Sequence, residues 1–259
     1  MHALNRLALL LIITVLAGCA STPDQEDDVS KWSANKLYKE AKESIKVKDF
    51  LSAVDYLESL EGKYPFSPYT KQARLDLAYV YYLQGEAEST IAAADRFIKL
   101  HPQHPRVDYA YYLRGAALFE EYTGFFAETF KQDPAHRNAS GARRAYSYLA
   151  ELIQRFPKSA YAKDAEQRLV HLRNRLAKYE ISVAQYYLKR DAFVAAVNRG
   201  KYVLENFEQT PAVADALVIM VKAYRKMDMP DLANDTMRVL TLNAPGHPEL
   251  LSLGNNKAR

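Results

Sequence analysis

Cysteine occurs once in 259 residues, at Cys19, so no intrachain disulfide can staple the fold and any core must come from packing. Glycine is also scarce, nine residues against nineteen tyrosines. Sheet proteins need more turn glycine than that, so the composition favours helices with many half-buried aromatic positions. The apolar run Leu7 to Leu16 is far short of the roughly 20 residues that span a bilayer. No sign of charge dominates: 35 Lys and Arg are interspersed with 31 Asp and Glu, without the basic run of a nucleic-acid footprint. The composition therefore disfavours DNA binding, and no direct nucleic-acid partner is expected.

Catalytic motifs are missing too. There is no G-x-S-x-G, no phosphate-binding glycine loop and no H-E-x-x-H. Glu120 and Glu121 are adjacent, and adjacent residues on a helix point apart, which spoils a shared acid/base site. His101-Pro102-Gln103-His104-Pro105 has ligand-like spacing but no nearby cysteine or carboxylate to complete a metal shell, and reads as a solvated turn. The expectation is no catalytic residue, no metal and no cofactor: not an enzyme.

What is present begins at the amino terminus. His2 and Arg6 precede the apolar run, and Leu16-Ala17-Gly18-Cys19 follows it. The run suits a signal-peptide h-region. Small residues before the cysteine resemble the bacterial lipobox, in which the sulfur is acylated, the chain is cut before the cysteine, and the new amino terminus is acylated too. One acyl chain anchors only marginally, at about 0.8 kcal/mol per buried methylene, and several anchor stably. Ala20 stands where an aspartate would resemble an inner-membrane retention signal, which directs the expectation to the outer membrane, facing the periplasm. Removing residues 1–18 changes the formal charge only from +4 to +3.

From Ser33 onward apolar residues recur at helical spacing, as in Phe50, Ala53, Val54, Leu57 and Leu60, with proline as periodic punctuation. Lys63-Tyr64-Pro65, Leu100-His101-Pro102, Arg155-Phe156-Pro157 and Asn243-Ala244-Pro245 each close an amphipathic helix at a proline. Working back from each proline gives a tetratricopeptide-like frame of about 34 residues. Its small and aromatic positions are filled by Ala41 and Ala53; Ala78, Tyr81 and Thr90; Ala184, Tyr187 and Ala196; and Val221, Tyr224 and Ala233. An ordinary helical bundle with Ala-rich interfaces is the alternative.

In the third unit the small positions Gly115 and Ala145 stand about 18 residues further apart than the frame allows, around Gly124-Phe125-Phe126 and Asp133-Pro134-Ala135-His136. The paired phenylalanines pack either on the solenoid itself or on a partner. Between Tyr161 and Arg190 there is neither glycine nor proline, so a long helix should join two halves. The expected fold is all-α: a tetratricopeptide-repeat solenoid of about five helix pairs with that long connecting helix. The expected layout is a signal peptide at 1–18, a flexible lipid-anchored tether at 19–32, and repeats 1–3 at 33–158 with an insertion at about 120–142. The connecting helix and repeats 4–5 occupy 159–248, and a flexible tail 249–259.

A solenoid without chemistry works through the inner curve lined by the first helices of its repeats. Positions 2, 5, 9 and 12 of each unit select Asn35, Tyr38, Lys42 and Ile45; Gln72, Leu75, Tyr79 and Tyr82; and Tyr109, Tyr112, Ala116 and Phe119. Tyr38, Tyr79, Tyr82, Tyr109 and Tyr112 supply rigid contact area with a polar tip, suited to an extended or helical peptide with aromatic residues, and Lys42 could receive a carboxylate. Packing between neighbouring helices is the alternative for each tyrosine. The last two units place Lys178, Ile181, Gln185 and Leu188, then Asp215, Val218, Lys222 and Arg225, at the same positions, which suits a charged protein surface.

Several strings are more specific than a repeat pattern: Tyr64-Pro65-Phe66-Ser67-Pro68-Tyr69, Leu75-Asp76-Leu77-Ala78-Tyr79-Val80-Tyr81-Tyr82, Asp95-Arg96-Phe97-Ile98, Arg175-Leu176-Ala177-Lys178-Tyr179-Glu180 and Val197-Asn198-Arg199. From about Leu37 to Leu240 the chain resembles the BamD family, also known as ComL competence lipoproteins. The resemblance implies a non-enzymatic lipoprotein scaffold of the β-barrel assembly machinery, anchored in the outer membrane through acylated Cys19. It implies binding of the POTRA region of the barrel subunit through the carboxy-terminal half, where Arg199 matches a family arginine, alongside smaller assembly lipoproteins. It also implies reception of unfolded outer-membrane β-barrel clients by the amino-terminal half. The insertion keeps the family's GFF and DP but lacks its charged run, and Asn138-Ala139-Ser140-Gly141 looks added. The ComL name and the basic pI suggest an alternative, a peptidoglycan-associated competence lipoprotein supporting DNA uptake.

Overall fold

The computed structural model describes residues 28–123 and 139–255. The signal peptide, Cys19, most of the tether, the GFF and DP segment, and residues 256–259 lie outside the described residues. Among the described residues there are eleven α-helices and no strand: α1 Ala34–Lys46, α2 Phe50–Lys63, α3 Thr70–Gln84, α4 Ala87–Leu100, α5 Val107–Thr123, α6 Ser140–Arg155, α7 Ala162–Lys189, α8 Phe193–Asn206, α9 Ala212–Lys226, α10 Pro230–Asn243 and α11 Glu249–Asn255. None is long and apolar enough to cross a membrane.

Helix starts follow capping chemistry where the sequence offers it. Ser33 Oγ accepts from the Lys36 amide at 3.3 Å and Asp49 Oδ1 from the Ser52 amide at 3.2 Å, each satisfying a donor the helix leaves open. Inside each regular unit the turn is made by one residue in the left-handed region: Lys48 (φ 62°), Gly85 (φ 77°), Asp191 (φ 57°) and Asp228 (φ 56°). Only Gly85 is the residue type that this conformation favours. Between units a second device recurs. The amide of Ser67, His104, Ser159, Thr210 and His247 donates to the carbonyl three residues earlier, at Tyr64, His101, Phe156, Phe207 and Ala244. The side chains of Ser67, His104, Ser159 and His247 then accept from the amide two residues on. His104 is thus a turn-building residue, and its neighbour His101 packs 5.3 Å from Phe97, ring to ring. Among the described residues no group of three or more His, Cys, Asp and Glu could hold a metal.

The helices pair as α1/α2, α3/α4, α5/α6, α7/α8 and α9/α10, forming a tetratricopeptide-repeat solenoid. First helices also touch one another, α3 with α5, α5 with α7 and α7 with α9, whereas α2, α4 and α6 make no comparable contact among themselves. The stack therefore curves with the first helices inside. Small residues set the pairings: a Cβ at Gly115 would lie 2.6 Å from the Leu149 side chain, and one at Gly200 2.6 Å from Met220 Cγ. Burial follows the seam, with Leu37, Leu57, Leu75, Phe97, Leu113, Leu149, Leu172 and Leu240 all essentially inaccessible.

α7 is a single helix of 28 residues. Its first half packs beside α5 and its second half pairs with α8, so one rigid rod belongs to both halves of the stack.

Three boundaries need correction. Residues 249–255 are not tail but α11, whose Leu253 is 3% exposed against the Leu217, Val218, Val221 and Leu240 cluster, covering what would be a bare apolar end. Residues 28–32 are not free tether. Val29–Lys31 form a 3-10 turn, Trp32 is buried beside Tyr56, and Tyr64 Oη donates to the Trp32 carbonyl at 2.8 Å. The insertion is narrower than 120–142, because α5 continues to Thr123 and α6 begins at Ser140.

Candidate functional site: the inner aromatic face

Tyr38 and Lys42 project from α1 across to α3, where one buried carboxylate organises both. Asp76 Oδ2 accepts from Tyr38 Oη at 3.1 Å and Lys42 Nζ at 3.0 Å, while Oδ1 accepts from Gln72 Nε2 at 2.7 Å. Asp76 is 6% exposed, so its carboxylate oxygens are satisfied by these donors and not by water. The carboxylate expected for Lys42 is thus supplied internally. Burial and Asp76 together push the Tyr38 phenol above its ordinary range, leaving it a neutral donor. Its ring stacks 5.4 Å from Tyr69, whose hydroxyl accepts from Asn35 Nδ2 at 2.7 Å.

A second aromatic group spans α3, α5 and the start of α7. Tyr109 stands 6.3 Å from Tyr79, 6.4 Å from Tyr112 and 5.0 Å from Tyr161, and Tyr112 and Tyr161 stack at 4.9 Å. Such spacings lie within the range of favourable ring pairing. Tyr112 Oη donates to Asp164 Oδ2 at 2.7 Å; Arg168 donates to the same oxygen at 2.6 Å and to Glu120 at 2.8 Å. Burial raises the Tyr82, Tyr109 and Tyr112 phenols above their ordinary value, so all three are neutral at any physiological pH. Tyr38, Tyr79, Tyr82, Tyr109 and Tyr112 are half-buried, with an edge or tip left to solvent.

Not every position picked by the repeat frame faces outward. Leu75, Ala116, Ile181 and Val218 are sealed in the core, because adjacent first helices approach closely enough to cover them. Tyr161, absent from the sequence-based set, completes the second group. Its signal lies in Phe156-Pro157-Lys158-Ser159-Ala160-Tyr161, which has the spacing of Tyr64-Pro65-Phe66-Ser67-Pro68-Tyr69, with a turn serine two residues before a ring that enters the inner face.

Arg199 lies apart from these rings, on α8. Its Nη1 donates to Glu180 Oε2 at 2.9 Å, and Arg143 Nη2 on α6 donates to Oε1 at 2.9 Å. The carboxylate side chain is 1% exposed while Arg199 and Arg143 are 43% and 54% exposed. One buried acid therefore holds two guanidiniums at the surface.

A family model described as YfiO, an outer membrane lipoprotein, matches residues 30–240. The outer membrane protein assembly factor BamD of Neisseria gonorrhoeae is 44% identical over 238 residues, covering 91% of this chain and 89% of that protein. BamD of Vibrio cholerae is 34% identical over 90% of this chain and 96% of its own, and BamD of Xylella fastidiosa (strain Temecula1) 35% identical over 95% and 84%. Among solved structures, a tetratricopeptide repeat protein from Parabacteroides merdae covers 86% of this chain and 99% of its own at 16% identity and a TM-score of 0.30, too loose a match to bear on function.

Proposed function

The chain belongs to the YfiO family of outer membrane lipoproteins, the family of the BamD assembly factors, and we propose that it is a non-enzymatic scaffold of outer-membrane protein assembly that grips other polypeptides along its inner curve. The observation that carries this is the run of half-buried tyrosines on successive inner helices, Tyr38 on α1, Tyr79 and Tyr82 on α3, and Tyr109 and Tyr112 on α5. Rings held by neighbouring rings and, at Tyr38 and Tyr112, by the carboxylates of Asp76 and Asp164 lose little further freedom on binding, which is what a reversible aromatic binding face requires.

In this reading the amino-terminal half receives unfolded outer-membrane β-barrel clients through segments bearing aromatic residues. The carboxy-terminal half binds the POTRA-bearing barrel subunit, with Arg199 offering its outer N–H groups to a partner carboxylate while Glu180 fixes the other side of the guanidinium. Smaller assembly lipoproteins complete the complex. Acylated Cys19 anchors the chain to the outer membrane on the periplasmic side.

The decisive experiment uses the full chain, tagged and with Cys19 intact, recovered from detergent-solubilised outer membrane. The expected result is co-purification with a POTRA-bearing barrel protein, palmitate incorporation that Cys19→Ala abolishes, and lower porin levels on depletion. Unchanged porins after depletion, with no barrel subunit recovered, would remove the assembly role.

A further inference from the structure

We propose that the edge of the amino-terminal half carrying the α2–α3 and α4–α5 turns is a bilayer contact surface, seated on anionic phospholipid headgroups with Phe66 as its apolar insertion. The choice of a bilayer as occupant rests on the acylation of Cys19 proposed above, together with the length of the tether and its exit point.

Phe66 is 99% exposed, on a short loop between Pro65 and Pro68. The two prolines restrict the loop, so the ring is presented outward and touches nothing on its own fold. Exposed cations flank it. Lys63 ends α2, Lys71 lies in the first turn of α3, and Arg106 immediately precedes α5. Among the described residues none of the three forms an ion pair within 4 Å; Lys63 acts on Asp28 only through its charge and the Arg106 guanidinium lies 5.2 Å from the Tyr109 ring, while Asp28 is bonded to Ser30 and Lys31 and Glu61 to Arg74 and Arg96. Lys71 bears on both His101 and His104, and Arg106 on His104; with burial, this positive surrounding holds both imidazoles below their usual pKa. A fully exposed aromatic ring on an edge that carries exposed cations is the composition of an interfacial membrane contact.

The exit of the chain selects a bilayer over a protein as occupant. Lys63 Nζ donates to the Val29 carbonyl at 3.1 Å and Tyr64 Oη to that of Trp32, so the chain leaves the fold beside this loop. Eight residues separate Cys19 from Asp28, a reach of at most about 30 Å when fully extended. An acyl anchor on so short a leash keeps this edge at high effective concentration against the membrane, where weak contacts suffice.

The test uses the mature chain carrying Cys19→Ser, so that no acyl group contributes, with vesicles of phosphatidylethanolamine containing 30% phosphatidylglycerol, compared with vesicles of phosphatidylcholine alone. Expected are sedimentation with the anionic vesicles only, reversal at high salt, and a loss of about 25-fold in affinity for Lys63→Ala with Lys71→Ala, about five-fold per lysine. Phe66→Ala should weaken binding further. Phe66→Trp should add a blue-shifted fluorescence component on vesicle addition that buried Trp32 does not give. Equal binding to both vesicle types, no binding to either, or indifference to all these substitutions overturns the proposal. A Cys19 that takes no palmitate would undo the anchoring instead, and leaves the result with unacylated chain standing.

Discussion

Glu180 and Arg199 meet at 2.9 Å between α7 and α8, and the same carboxylate reaches back to Arg143 on α6. Because α7 belongs to both halves of the stack, this acid ties the third repeat to the fourth. The arginines can be hydrated if released; the carboxylate cannot. Either arginine alone still leaves Glu180 a partner, so Arg199→Gln or Arg143→Gln should each cost about 1 kcal/mol. Together they strand a buried charge, and the double variant should lose about 3–5 kcal/mol, well beyond additivity. Urea denaturation of the four proteins measures this directly, and additive losses would refute it. Charge reversal at Arg199 is a poor probe of partner binding, since it sets a second carboxylate against Glu180.

For the aromatic face, Tyr79→Ala with Tyr112→Ala should weaken binding of a peptide ending in phenylalanine at least ten-fold, on the order of 1.4 kcal/mol, with helix content unchanged. Arg199→Gln should leave that affinity intact while weakening binding of the POTRA region. Calorimetry with peptide and with POTRA fragment distinguishes the two surfaces; loss of both in either variant means they are not separate.

Two glycines at helix crossings should respond differently to the same change. At Gly115 a new methyl meets the branch point of Leu149 at 2.6 Å and the Leu149 backbone at 3.2 Å. Neither retreats easily, so Gly115→Ala should destabilise by about 1–2 kcal/mol even after a helix-propensity gain of about 1 kcal/mol. At Gly200 the obstacle is Met220, an unbranched side chain that can change rotamer, and Gly200→Ala should fall within about 0.5 kcal/mol of wild type. Equal losses in thermal denaturation would show that backbone spacing, not the opposing side chain, governs both sites.

Stability should fall as the pH drops below about 6.5, through His101 and His104. Burial comes first, then Arg74 and Lys71 at His101 and Arg106 and Lys71 at His104, in holding the folded imidazoles below their usual pKa. The unfolded chain therefore binds protons at a higher pH than the fold does. The contribution is complete above about 6.5 and is lost as pH falls through the folded values. Asp28, Asp49 and Glu88, whose pKa values are lowered, lose their contributions only in the more acidic carboxylate range. His101→Gln with His104→Gln should flatten the upper window alone; an unchanged slope there would assign it to other groups.

Much of the inner face could be read from spacing, because a repeat of fixed length returns the same side of each first helix to the same place. Tyr79 and Tyr112 were found that way, and so were Leu75 and Ala116, which the structure buries. Position in a repeat specifies direction from the helix axis but not how closely the next helix approaches. Tyr161 escaped for a different reason: the repeat frame places its fourth set of inner positions from Lys178 onward, and the stretch from Tyr161 to there, expected as a connecting helix, receives none.

By itself the sequence determined that the chain is helical and repetitive and that its punctuation falls at aromatic-proline steps, since these follow from local periodicity and residue chemistry. The fate of each charge was decided only by the tertiary structure. Lys42 is spoken for by Asp76, and Arg199 and Arg143 share Glu180. Pairing depends on burial and on residues tens of positions away, and no window along the chain contains either.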